Sequence, residues 1–152
     1  MRQQSGFTLI ELISVIVILG ILAATAAPKF SNLRTEAEAS ALKGIRGSME
    51  TAVVMAHGIW LAKGLNASSD VAYAQGVNVS MVYGYPTATA TGIFAALDYD
   101  TATYSLNVGA TSAILYKTSV GAASAAQCGL LYTQSTALNV PPTVASAVTT
   151  AC

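Results

Sequence analysis

The longest apolar stretch of the chain is residues 7–27, FTLIELISVIVILGILAATAA, and it contains one charged side chain, Glu11. At the rise of an α-helix this stretch spans about 32 Å, close to the roughly 30 Å thickness of the bilayer hydrocarbon. An ionised side chain within a membrane-spanning helix costs about 3 kcal/mol, so it indicates a function. The alternative is an ordinary anchor that tolerates a carboxylate near its end. The stretch predicts a membrane-spanning helix with a functional glutamate close to its start.

A secretory signal peptide is the second interpretation of the same stretch. Such a peptide has a basic leading region and an apolar core of about 7–15 residues. Here the apolar run is longer, and Arg2 is the only basic residue before it. Residues 23–27 imitate a cleavage site, and cleavage there would discard both Phe7 and Glu11. The first residue of the mature chain therefore distinguishes the two interpretations.

The motif Gly6-Phe7-Thr8-Leu9-Ile10-Glu11 lies at the start of the apolar stretch. It resembles the processing site of type IV prepilins. The resemblance implies that a prepilin peptidase cuts after Gly6 on the cytoplasmic side and methylates the new amine of Phe7. It also implies that Glu11 acts in filament assembly, where its carboxylate pairs with the amine of a neighbouring subunit. Residues 1–6 are then the leader peptide, and a short leader followed by Phe is typical of the type IVa class.

The resemblance implies an α+β fold, with a long N-terminal helix packed on a small antiparallel sheet. Residues 7–29 form the transmembrane and polymerisation helix, and residues 30–152 form a periplasmic head. Gly20 and Pro28 are weak points of this helix, because glycine costs about 1 kcal/mol relative to alanine and proline removes a backbone hydrogen bond. In the family such a stretch can lose helicity in the filament. The alternative is that Gly20 only permits close contact between helices.

The periodicity beyond Pro28 predicts the elements of the head. Apolar residues recur every three or four positions from Phe30 to Ile59, which is typical of an amphipathic helix that Gly64 ends. Residues 65–90 have the composition of an irregular connector. Its tyrosines, Tyr73, Tyr83 and Tyr85, are interpreted either as the cover of a sheet edge or as a binding patch. Strands are predicted at residues 104–108, 113–118, 130–133 and 144–149, with a helical turn or a first strand at 93–97.

The two cysteines, Cys128 and Cys152, lie in the C-terminal part of the chain. They are placed like the pair that closes the C-terminal loop of pilins, and an oxidising compartment favours such a disulfide. The basic residues that flank the apolar stretch nearly balance, so the positive-inside rule does not decide the orientation. The cysteines and the resemblance together place the N-terminus in the cytoplasm and the head in the periplasm.

Composition and spacing argue against several classes of function. Charged residues make up 9% of the chain and the net charge is zero, so no basic surface for nucleic acid is predicted. His57, the only histidine, lies beside Trp60 on the predicted helix, where a packing role outweighs catalysis. Asp98 and Asp100 form an acidic pair without the further oxygen ligands that calcium requires. We therefore predict no enzymatic activity, no cofactor and no metal site.

The predicted function is that of a structural subunit of a type IV pilus, polymerised into a surface filament for adhesion. Residues 17–23, 26–30 and 41–44 resemble most the mannose-sensitive haemagglutinin subfamily. The implied partners are other pilin subunits, the prepilin peptidase, and an inner-membrane assembly platform with its ATPase. The subunit resides in the inner membrane before assembly. The alternative is a pseudopilin of a type II secretion system.

Overall fold

The computed structural model describes residues 6–65, 70–73, 76–150 and 152, without the side chains of residues 31 and 32. The chain divides into two compact units, Met1–Ala37 and Glu38–Cys152, here called the anchor unit and the head unit. The predicted leader, residues 1–6, lies outside the described residues except for Gly6.

One long helix, α1, runs from Leu9 to Ala62 and contains Pro28. It ends close to Gly64, as predicted, and the φ of +59° at this residue favours a side chain without Cβ. The amide of Gly64 donates to the carbonyl of Leu61 at 3.1 Å, and that of Leu65 to the carbonyl of Trp60 at 3.3 Å. These two bonds form a Schellman motif, which satisfies carbonyls that the helix end leaves unpaired.

The apolar face of α1 is buried only in the head unit. Met49, Ala52 and Ala56 are buried there as the periodicity predicts, and Leu42, two turns before Met49, extends the face. Phe30 and Leu33 continue the apolar pattern in the anchor unit but are 69% and 59% exposed. The described residues of the anchor unit supply no second layer, so its apolar side chains have nothing to pack against.

Two short antiparallel pairs lie where the sequence predicts an irregular connector, and this prediction is wrong for residues 71–86. Strand β1 (Val71–Ala72) pairs with β2 (Asn78–Val79), and β3 (Met81–Val82) pairs with β4 (Tyr85–Pro86). Val71 and Val79 are fully buried in a small cluster with Ala56 and Met81. Strands of two residues are too short for alternation to be visible in the sequence.

The main sheet is antiparallel and follows the short pairs. Its strands are β5 (Tyr104–Val108), β6 (Ser112–Lys117), β7 (Cys128–Thr133), β8 (Thr143–Val144) and β9 (Val148–Thr149). The order is β5-β6-β7-β8, and β9 also pairs with β7. The first three strands agree with the prediction to within two residues.

The strand predicted at residues 144–149 is divided in two, so the four predicted ranges correspond to five strands. Strand β8 pairs with Tyr132 and Thr133, whereas β9 pairs with Cys128 and Gly129. Between the two strands the amide of Ala145 donates to the carbonyl of Leu131. Residues 145–147 thus run alongside β7 without strand geometry. Their alanine-rich composition alone does not distinguish such a segment from a strand. Residues 93–96 form a 3₁₀ turn, the helical one of the two predicted alternatives.

The core lies between α1 and the sheet, and the predicted α+β class is confirmed. Buried side chains from the sheet meet those of the helix in one cluster, which includes Met49, Ala52, Ile93, Phe94, Leu115, Leu130 and Tyr132. The hydroxyl of Tyr132 is buried and donates to the carbonyl of Pro86 at 2.6 Å. Burial raises the pKa of Tyr132, so this hydroxyl stays protonated as a donor.

An ion pair joins α1 to β6 within the head unit. The ammonium of Lys117 donates to Glu38 Oε1, and the two side chains are 19% and 15% exposed. The sequence predicts that Glu38 lies off the apolar face of the helix. The structure corrects this prediction, since Glu38 is mostly buried. The reason is that β6 covers a wider arc of α1 than the apolar residues mark. A second pair, Arg46 with Glu50, lies within α1 and is far more exposed.

We expect Glu38→Gln to lower the free energy of unfolding of the head by about 1–3 kcal/mol, because it leaves the mostly buried ammonium of Lys117 without its counter-charge. The matched control is Glu50→Gln, which breaks the exposed pair and is expected to cost at most about 0.5 kcal/mol. Thermal unfolding of the two full-length variants in detergent, followed by near-ultraviolet circular dichroism, measures the difference. Equal midpoints for the two variants would show that the Glu38 pair does not stabilise the head.

Candidate functional site

The first turn of α1 is closed by a reciprocal set of hydrogen bonds between Thr8 and Glu11. The amide and the hydroxyl of Thr8 donate to Glu11 Oε2 at 2.8 and 2.7 Å. The amide of Glu11 donates to Thr8 Oγ1 at 3.4 Å. This arrangement is a capping box, in which residues three apart satisfy amides at the start of a helix. The helix therefore begins at Leu9, and Gly6 and Phe7 precede it outside the helix.

Every bond that Glu11 makes through its carboxylate within the described residues goes to Oε2. The second oxygen, Oε1, is left for another donor. Phe7, the residue whose amine would be created by cleavage, is 91% exposed and lies just before the cap. The structure thus places the predicted processing site and the predicted assembly glutamate within one turn of each other.

The hydroxyl groups inside the apolar stretch are satisfied by the helix itself. Ser14 Oγ donates to the carbonyl of Glu11 at 2.9 Å, and Thr25 Oγ1 donates to the carbonyl of Leu22 at 2.9 Å. Internal satisfaction of polar groups is what a hydrocarbon environment requires. The large apolar side chains of the stretch are exposed in the isolated chain, Leu9 at 75% and Leu22 at 58%. This is the one described helix that is long and apolar enough to cross a membrane.

Gly20 and Pro28, the two predicted weak points, both lie within the uninterrupted helix of the isolated chain. A Cβ added at Gly20 would meet no atom within 4 Å. Gly20 therefore offers a flat, open surface to any helix that approaches it. Whether the segment melts in a filament remains a prediction, and so does the alternative of close contact.

The cysteines meet at the start of β7, an inner strand of the main sheet. Cys128, the buried first residue of β7, is bonded to Cys152, with the two Cα atoms 5.0 Å apart. The bond closes a segment of 24 residues that carries both β8 and β9. On the chain-entropy model a loop of this length stabilises the fold by about 3 kcal/mol. The disulfide thus ties the last short strand, β9, to the sheet.

The three tyrosines of the predicted patch have different surroundings in the structure. Tyr73 packs against the core, and its hydroxyl donates to the sulfur of Met55. Tyr83 is exposed at the turn between β3 and β4, and Tyr85 stacks on His57 with ring centroids 4.2 Å apart. His57 also stacks on Trp60 at 5.7 Å. The sequence correctly predicts that His57 lies beside Trp60. It does not predict that both residues contact the turn between β3 and β4.

The turn at Tyr83 and Gly84 is conformationally unusual. Both residues have positive φ, +52° and +82°, as in the type I′ turn of two-residue hairpins, which favours Asn-Gly. A tyrosine in the left-handed region costs about 1–2 kcal/mol. A side chain at Gly84 would come within 3.0 Å of the ring of Trp60. Gly84 is thus required by its φ and by the ring, whereas Tyr83 opposes the geometry of the turn.

Of the acidic pair in the loop before β5, Asp100 binds groups of its own loop. Asp100 accepts hydrogen bonds from the amide of Ala102 at 2.9 Å and from the hydroxyl of Thr103 at 2.5 Å. The Thr103 hydroxyl, followed by the Ala102 amide, lowers the pKa of Asp100. Within the described part of the chain no three His, Cys, Asp or Glu side chains are grouped as metal ligands. The chemistry of Asp100 is therefore that of a turn cap.

The described residues thus combine a long N-terminal helix, apolar and exposed in its first half, with an α+β head. A family model described as the prokaryotic N-terminal methylation motif matches residues 1–27. The chain is 37% identical over 93 residues to the type IV major pilin protein PilE of Neisseria gonorrhoeae, which covers 57% of this chain and 56% of that protein. The predicted resemblance to type IV pilins is confirmed.

Two further relatives match over shorter regions. The type IV major fimbrial protein FimA of Dichelobacter nodosus is 46% identical over 50 residues, 33% of this chain and 32% of that protein. The type II secretion system core protein G of Pseudomonas aeruginosa is 54% identical over 43 residues, 28% of this chain and 30% of that protein. The chain thus spans about a third to about a half of the length of these relatives. No solved structure matches the chain.

Sequence reasoning did not find the part that Thr8 plays. The signal was present, because Thr8 and Glu11 have the spacing of a capping box at the start of an apolar helix. The resemblance directed attention to pairing between subunits, and the local role of Glu11 was missed. The resemblance to the mannose-sensitive haemagglutinin subfamily remains a prediction.

The turn cap at Asp100 predicts a dependence of stability on pH. Because the folded pKa of Asp100 lies below its ordinary value of 3.8, the carboxylate stabilises the fold above that value. The stabilisation is lost as the pH falls through the folded pKa. We expect the thermal midpoint of Asp100→Asn to fall less steeply than that of the unmodified chain from about pH 5 to about pH 2.

The matched control for this experiment is Asp98→Asn, because Asp98 accepts no hydrogen bond from the described residues. Circular dichroism melts at a series of pH values measure the three slopes. If Asp100→Asn follows the same slope as Asp98→Asn, the turn cap contributes nothing to acid sensitivity.

Proposed function

We propose that this chain is a structural, non-enzymatic subunit of a type IV pilus that polymerises into a surface filament for adhesion. The observation that supports it best is an exposed apolar stretch of α1 whose single carboxylate lies in the first turn of the helix, four residues after Phe7. The family model of the N-terminal methylation motif matches this same region, residues 1–27. The identity and role of the whole chain rest on this proposal.

Processing by a prepilin peptidase is the first step of the proposal. The peptidase cuts between Gly6 and Phe7 and methylates the amine of Phe7. The capping box supports this, because it starts the helix at Leu9 and leaves both residues outside it. Residues outside a helix expose their peptide bond to an enzyme more readily than residues within one.

Assembly replaces lipid with other copies of the same helix. The exposed side chains of the apolar stretch are satisfied by lipid in the inner membrane and by neighbouring stretches in a filament. A contact between two different surfaces of identical subunits does not close and therefore generates a fibre. Glu11 Oε1 then pairs with the methylated amine of Phe7 on a neighbouring subunit, which neutralises both charges and fixes the axial register.

The remaining partners follow from what the chain itself lacks. No phosphate-binding loop occurs in the sequence, so an ATPase and an inner-membrane assembly platform supply the energy for extraction from the bilayer. Before assembly the head lies in the periplasm, where the disulfide between Cys128 and Cys152 forms. After assembly the subunit is part of the surface pilus.

A pseudopilin of a type II secretion system is the second candidate. The match to core protein G of Pseudomonas aeruginosa favours it. That match covers 28% of this chain and 30% of that protein. The C-terminal disulfide and the use of Asp100 as a turn cap support the pilin.

We expect Glu11→Ala to be processed at Gly6 but to form about a hundredfold fewer filaments, because an ionised amine without a counter-charge in an apolar environment costs about 3 kcal/mol. Glu50→Ala is the matched control, since Glu50 lies on the exposed face of the head helix. Electron microscopy of material sheared from cells counts the filaments, and mass spectrometry identifies the subunit and its first residue.

Three outcomes would contradict the proposal. A mature chain that begins near Pro28 would identify a cleaved signal peptide. Wild-type filament numbers in Glu11→Ala would remove the assembly role of the carboxylate. If the unmodified strain yields no filament in sheared material, and protein secretion is abolished in a strain without this chain, the chain is a pseudopilin.

A further inference from the structure

The turn between β3 and β4, here called the aromatic turn, carries a tyrosine in a strained conformation. The turn is formed by Tyr83 and Gly84 between β3 and β4, and both residues have positive φ. Asparagine or glycine at position 83 would adopt this geometry without strain. Strain retained by a residue that the turn does not need indicates a function for its side chain.

The ring of Tyr83 is only partly covered by the head. The side chain is 37% exposed, and its hydroxyl makes no hydrogen bond within the part of the chain that the structure describes. A buried ring would repay the strain through packing, as the neighbouring Tyr85 does on His57. The ring of Tyr83 is therefore available to a partner outside the chain.

The turn is held rigidly against the C-terminal end of α1. His57 Nδ1 donates to the carbonyl of Gly84 at 2.7 Å, and the backbone of Gly84 lies on the ring of Trp60. The rings of Trp60, His57 and Tyr85 stack with interplanar angles of 14° and 7°. Below the turn, the carbonyl of Pro86 is held by Tyr132. A surface fixed in this way binds without losing conformational freedom.

The chemistry of the surface restricts its ligand. The surface is formed by three half-buried rings and one exposed ring, with two tyrosine hydroxyls, and none of these four side chains is a carboxylate, ammonium or guanidinium group. The four side chains therefore offer a charged ligand no permanent counter-charge. A stable protein interface needs about 800 Å² from each partner, which four partly exposed rings do not supply. The surface fits a small, uncharged ligand with a flat apolar face and hydroxyl groups at its edge.

We propose that Tyr83, together with the exposed parts of Tyr85 and Trp60, binds the pyranose rings of neutral carbohydrate. The C–H face of a pyranose carries partial positive charge and packs on the negative face of an aromatic ring. Its hydroxyl groups exchange hydrogen bonds with the hydroxyls of Tyr83 and Tyr85. The inference deepens the proposed adhesive function and rests on it for its biological meaning, but binding itself does not require a filament.

The chain supplies its own reporter for this binding, because Trp60 is its only tryptophan. The experiment titrates the detergent-solubilised full-length protein with cellohexaose, maltohexaose and chitohexaose and follows the emission of Trp60. We expect at least one of these neutral hexasaccharides to give a saturable change. A heparin-derived hexasaccharide, which is anionic, is expected to give none.

The decisive variant is Tyr83→Asn, which suits the turn better than the natural residue. It is expected to raise the thermal midpoint of the head by about 2–6 °C and to weaken binding at least about tenfold. A merely structural tyrosine would not move stability and binding in opposite directions. Val108→Asn, at an exposed apolar position of β5, is the matched control and should leave binding unchanged.

The proposal is overturned if none of the neutral hexasaccharides changes the emission of Trp60, or if Tyr83→Asn binds as tightly as the unmodified protein. Binding of the anionic hexasaccharide alone would also overturn it. Because the measurement uses unpolymerised protein, it is independent of filament formation. Failure of the proposed pilus function would appear in the sheared material and not in this titration.

Discussion

One carboxylate, Glu11, determines where the apolar part of α1 begins and which residues precede it. Glu11 lies within a stretch whose large side chains are exposed, and in the isolated chain its Oε2 atom is used to cap the first turn. The cap fixes where the helix starts and therefore which residues precede it. The same carboxylate retains one oxygen, so it can begin the helix and still receive a charged donor from another copy. The capping box thus leaves Glu11 one oxygen for the intermolecular contact that the proposed function requires.

The head is stabilised by different interactions from the anchor. One face of α1 packs on a five-stranded antiparallel sheet, and the mostly buried pair of Glu38 and Lys117 joins the helix to β6. The disulfide holds the C-terminal segment at β7. These contacts lie within the head unit, so the anchor is left to interact with lipid or with other copies. Because the short hairpins are fixed on the end of α1, the head also presents a rigid aromatic turn.

The parts of the structure that a regular pattern encodes were predicted from the sequence. The helix and its end at Gly64 follow from periodicity and from a residue that adopts positive φ, and β5 follows from alternation. The two-residue strands were missed, because the burial of Val71 and Val79 depends on neighbours far away in sequence. The burial of Glu38 was missed for the same reason. The strain at Tyr83 lies in the backbone, and no residue pattern reports it.

The central claim is that Glu11 finds its counter-charge in another copy of the chain. A helical reconstruction of the filament, resolved to side chains, measures this directly. The account predicts that Glu11 Oε1 lies within about 4 Å of the methylated amine of Phe7 on a neighbouring subunit, while Oε2 remains bonded to Thr8. A carboxylate that contacts only its own Thr8, with the neighbouring amines paired elsewhere, would contradict the account.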